Sequence, residues 1–135
     1  MSTNIQLITD ALRLINVINE IETPSAEQGA TCLRVMNQLM EQWEEDGIKL
    51  QYFEQTSTSA DFPGPKYAEL GVVAGLAIRV APFFGASVSP EIANQFTEGM
   101  LTITRKSVLK NAQTADLRHM PLGSSRRAAN IETDQ

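Results

Sequence analysis

The stretch "AELGVVAGLAIRVAPFFG", residues 68–85, decides the fold. From Tyr67 to Ala81 it is apolar nearly all the way round a helix, and Gly71, Ala74, Gly75 and Ala77 allow close backbone approach. A helix with no polar face needs other elements around it, so it is expected at the centre of the fold. Pro65 suits the first helical position, and Gly85 is placed to end the unit after "APFFG". Arg79 is the odd residue. It is expected to reach the surface along its own stem or to pair with an acid, a subunit contact being the alternative. Arg79 and the nearby Pro82 also leave the run short of the ~20 clean apolar residues of a membrane span. No signal peptide is expected either, since Asp10 and Arg13 interrupt the first apolar run. A soluble protein, intracellular when synthesised, is the expectation.

Helical patterns lie on both sides. Over residues 5–18, Ile5, Ile8, Leu12 and Ile15 form one stripe and Leu7, Ala11, Leu14 and Ile18 a second beside it. Together they are wider than the ~100° of a surface helix. That fits a helix buried in its own bundle, or one shared with another subunit. In "ETPSAEQ", Ser25 is a natural N-cap, and Gln28 stands at capping-box spacing. Leu33, Met36, Met40 and Trp43 mark the buried face of this second helix, and Gly47 is placed to stop it in αL. From Ser25 to Asp46 it would span about 33 Å. In "IKLQYFEQ", Ile48, Leu50 and Tyr52 alternate as in a short extended arm or strand. The polar loop "TSTSADFPGP" follows. Ser89, Pro90 and Glu91 open a last helix with seam Ile92, Phe96, Met100 and Ile103, Lys106 and Lys110 suiting its negative end. The expectation is all-α. A four-helix, bundle-like domain over 1–114 carries a short extended arm between helices 2 and 3, and 115–135 form a flexible C-terminal tail.

Charge is unevenly spread. Residues 1–60 carry nine acids and three bases, whereas residues 105–135 carry three acids and six bases. The acidic body disfavours general DNA binding, which needs clustered Lys and Arg. The tail, "DLRHMPLGSSRRAANIETDQ", has Leu117, Met120, Leu122 and Ile131 as its only large apolar side chains. Such a segment cannot offset its own ordering entropy and is expected to take up structure only against a partner.

Candidate chemistry is sparse. Glu44, Glu45 and Asp46 in "WEEDG" would invite a glycosidase carboxylate pair. Consecutive helical positions point about 100° apart, however, so they do not converge on one bond. A solvated face or a contact for a basic partner is the simpler reading. A Cys32–His119 dyad would require the tail to fold back onto a buried thiol. One cysteine and one histidine leave no soft-ligand set for zinc, and "GPKYAELG" lacks the Walker A glycine spacing. Neither catalytic residue, metal nor cofactor is expected. Trp43 and Tyr52 would both suit an interface, although Trp43, ending a helical stripe, reads first as core.

Taken together, "DALRLINVI" with "ETPSAEQ", "LRVMNQLMEQWEEDGIKL", "AELGVVAGLAIRVAPFFGASVSPEI" and "RHMPLGS" resemble, in that order, the tail accessory factor or head-to-tail adaptor of short-tailed bacteriophages, also called the packaged-DNA stabilisation protein. The resemblance implies a non-enzymatic virion protein of the head–tail junction, made in the host cytoplasm. Twelve copies would bind under the portal protein after packaging, help retain the genome and form the platform for a downstream tail or nozzle protein. DNA would pass through the ring without sequence-specific binding. Tail contacts with the portal would fall on Arg118, His119, Met120, Pro121, Leu122 and Gly123, with Arg126 and Arg127 beyond. Subunit or portal contacts of the body would fall on Glu44, Glu45, Asp46, Tyr52 and Phe53. Two other readings stand beside it: a helical regulatory module binding through the wide face of the first helix, and a cell-wall hydrolase using Glu44 or Glu45.

Overall fold

A computed structural model describes residues 2–114, with side chains as far as Ser107; the proposed tail, 115–135, and the side chain of Lys110 lie outside the described residues. Within them the protein is all-α. Its four helices are α1 (Asn4–Leu14), α2 (Ala26–Glu45), α3 (Glu69–Val80) and α4 (Pro90–Thr114). Single 3₁₀ turns, Lys66–Ala68 and Ala81–Phe84, flank α3. As its composition dictates, α3 is central: α1, α2 and α4 all pack on it. Gly71, Val72, Ala74, Gly75, Leu76, Ala77 and Val80 are buried along it. Lys66–Phe84 is long and apolar enough to pass for a membrane span by length and composition. Half of that window is buried inside the protein, as in the core helix of a helical domain.

The caps explain where the helices begin and end. Ser25 and Gln28 form the expected box, Gln28 N–H donating to Ser25 Oγ at 3.1 Å and Ser25 N–H to Gln28 Oε1 at 2.9 Å. Thr3 and Gln6 form a second box at the start of α1, one that sequence reading did not single out. At the far end of α2, Gly47 takes φ +92°. Ile48 N–H then donates to Trp43 C=O, and Gly47 N–H to Glu44 C=O, the paired bonds of a Schellman motif. The same pattern stops α1 early. Asn16 adopts φ +61° and Val17 N–H returns to Leu12 C=O, because Asn tolerates αL better than other side-chain-bearing residues. The expected helix over 5–18 therefore ends at Leu14. Ile15 and Ile18 remain buried from the turn that follows, which is why the apolar pattern ran on past the helix. Pro65 differs too: it caps the 3₁₀ turn rather than opening α3.

Both stripes of α1 face the protein's own interior. Leu7, Ile8, Ala11, Leu12, Ile15 and Ile18 are buried, and Ile5 and Leu14 pack against that core. The wide apolar face is thus accounted for within one subunit. Residues 48–62, here termed the strap, form no strand; Leu50 and Phe62 anchor it in the core.

Candidate interaction surface

Of the predicted body contacts, Glu44 at the end of α2 and Tyr52 in the strap are brought to one groove, and the others lie outside it. Glu44, Glu45 and Asp46 are all exposed and diverge as helical geometry requires. Glu44 lines a groove between α2 and the strap, together with Arg34, Asn37, Gln38, Glu41, Tyr52 and Glu54. Asp46 stands instead on the rim of a second groove, where α2, α3 and α4 meet. Tyr52 is half-buried and Phe53, the next residue, is 66% exposed.

The strap is held by a network that the sequence did not disclose. Asn37, midway along α2, clasps one strap residue with its side-chain amide. Its Nδ2 donates to Gln55 C=O at 2.9 Å, and its Oδ1 accepts from Gln55 N–H at 2.9 Å. Tyr52 hydroxyl also donates to Asn37 Oδ1. Asn4, fully buried, donates from Nδ2 to Gln55 Oε1 at 2.8 Å and to Ser57 C=O at 3.0 Å. Its Oδ1 is buried without a partner among the described residues. In return the strap caps α1: Ala60 and Thr58 carbonyls accept from the N–H groups of Asn4 and Ile5 at 2.9 and 2.8 Å. Helix donors that have no intrahelical acceptor are thereby satisfied. Burial, reinforced by the Glu54 charge, raises the Tyr52 pKa well above that of a free phenol. The one sequence signal for all this was an Asn inside an apolar helical face, between Met36 and Met40.

The second groove is apolar at its base. Leu39 and Trp43 from α2, Gly75 and Ile78 from α3, and Phe96 and Met100 from α4 line it, and Gln42, Asp46 and Arg79 rim it. Arg79 is exposed as expected, but its guanidinium donates to Gln42 Oε1, an amide rather than an acid.

Cys32 is buried, and desolvation pushes its thiol up to about 11. A protonated, enclosed thiol is a packing group, not a nucleophile. Among the described residues no group of three or more His, Cys, Asp or Glu could hold a metal ion. The tail candidates Arg118, His119, Met120, Pro121, Leu122, Gly123, Arg126 and Arg127 lie outside the described residues. No family model matches the chain, and no curated protein matches it.

Proposed function

We propose that this chain is a structural head-to-tail adaptor of a phage virion, a bundle-like helical body with residues 48–55 as its short arm. Twelve copies bind the portal ring after packaging, help retain the genome and give the next tail or nozzle protein its platform. The observation that carries the proposal is the ordered set of adaptor-like stretches through "WEEDGIKL" and "LAIRVAPFFGASVSPEI". Two properties of the body support it. It leaves Phe53, Phe83 and Leu101 more than half exposed around a well-buried core, as a subunit awaiting contacts would. Its acidic half also disfavours adhesion of a passing duplex. In this reading the basic tail orders on the portal, and repetition around a ring multiplies each weak contact.

The alternatives receive less support. A regulatory module docking through the first helix would need a face that is already buried, and a hydrolase would need Glu44 and Glu45 to converge. Native mass spectrometry of the full chain with its cognate portal tests the proposal. A ring of copies on the portal is expected, and a chain ending at Ala115 should lose most of it. Absence of any portal complex from the full chain would overturn the adaptor role; an undiminished ring from the shortened chain would overturn the role of the tail.

A further inference from the structure

The two grooves lie on different flanks of α2. Residues 34, 37, 38, 41 and 44 line the first, and 39, 42, 43 and 46 the second. At 3.6 residues per turn the two sets point about 155° apart. Beside the first groove stands an apolar knob, Phe53, with Lys49 and Glu54 exposed near it in the chain. The second groove offers an apolar base, with Asp46 and Arg79 on its rim. Knob and groove are complementary in chemistry and in charge: an aromatic ring faces an apolar base, and Glu54, next to the knob, faces Arg79 on the rim. Arg79 spends one donor on Gln42, and a guanidinium has five.

We propose that Phe53 of one copy seats in the α2–α3–α4 groove of the next, making a head-to-tail contact between copies of this chain. The inference deepens the adaptor reading and rests on it for the ring. A contact between two different patches on opposite flanks is heterologous, and it closes into a ring when the rotation per subunit permits. One Phe and one ion pair at a rim make a weak contact in dilute solution. High local concentration on a portal would make it cooperative.

Directed cross-linking of the full chain tests it. Cys32 is buried and can stay. One preparation carries Gln51→Cys and a second Gln42→Cys, exposed positions beside the knob and on the rim of the groove that leave Phe53 and the apolar base in place, and a third carries the exposed Glu27→Cys as a control. Under mild oxidation the first two mixed should give disulfide-linked heterodimer roughly tenfold above either homodimer, as steered heterologous docking requires. The chain carrying both cysteines should give a ladder of higher oligomers. Homodimers equal to the heterodimer, or yields no higher than the Glu27→Cys control, would overturn the contact. In the cysteine background, Glu54→Arg or Arg79→Glu should each cut the yield about fivefold, and the pair together should restore it. Failure of the double reversal to restore it would remove the charge pairing. Portal binding separates this inference from the one beneath it. If Phe53→Asp forms a full ring on the portal, the knob contact fails while the adaptor stands. If the wild type ignores the portal yet the mixed cysteines link, the adaptor fails while the contact stands.

Discussion

Where α3 meets α4, the two backbones almost touch. A Cβ added to Gly99 would stand 2.5 Å from Gly71 Cα and 2.7 Å from Gly71 N, both backbone atoms that no rotamer change can move aside. Where the strap meets α1 and α2, the contact is a set of side-chain amides gripping irregular backbone, with Leu50 and Phe62 as apolar anchors. The first joint is held by close packing, which is insensitive to chemistry and intolerant of volume. The second is held by hydrogen bonds that tolerate volume but not the loss of a partner. One small protein therefore carries two kinds of fragility, and they should fail under different substitutions.

The sharpest break of that contrast is at the helix seam. Gly99→Ala should destabilise the protein by about 3 kcal/mol, because the added methyl has only backbone to displace. A lower denaturant midpoint at unchanged slope would show it. A variant as stable as the wild type would mean that the helices separate freely there and the seam is not close-packed.

Asn37→Ala should cost about 2 kcal/mol, since it removes the grip on Gln55 and leaves buried backbone groups without partners. Hydrogen exchange should quicken at Gln55 N–H while amides of α3 keep their protection. Equal loss of protection in both regions would merge them into one cooperative unit and abolish the contrast.

A further expected effect is a response to alkali carried by Cys32 of α2 and Tyr52 of the strap. Cys32 and Tyr52 each hold their protons more tightly in the folded protein than at their usual values. Their contribution is therefore complete below pH 9.0 and drains as the pH rises toward about 11, where the Cys32 thiol titrates in the folded state. Stability should slope downward across that window. Cys32→Ala should remove the first part of the slope and Tyr52→Phe the later part. A wild-type curve that stays flat between those values would show that neither group is shielded as the structure implies.

The contrast also sorts what was readable in advance. Packing follows rules of composition and period, so the centrality of α3, the buried faces of α1 and α2 and the Ser25 box were legible. Asn16 was the first failure: apolar period continued through Ile15 and Ile18 after the helix had stopped, because burial does not require helicity. The strap was the second. Alternation at Ile48, Leu50 and Tyr52 suggested an extended element, yet these residues found no strand to pair with among the described residues. Side-chain amides of Asn37 and Asn4 took the place of a β-ladder. Of the candidate surface, the exposure of Glu44, Glu45 and Asp46 was legible. The groove of Leu39, Gly75, Phe96 and Met100 was not.

By itself the sequence determined the helical class, the central helix and the charge asymmetry between body and C-terminal quarter, because hydrophobic period, capping and net charge act locally along the chain. Only the tertiary structure decided that Asn37 holds Gln55 eighteen residues away, that Gly71 meets Gly99 and that two grooves flank α2. Those relations join residues distant in the chain, and local preference says nothing about which distant partners will meet.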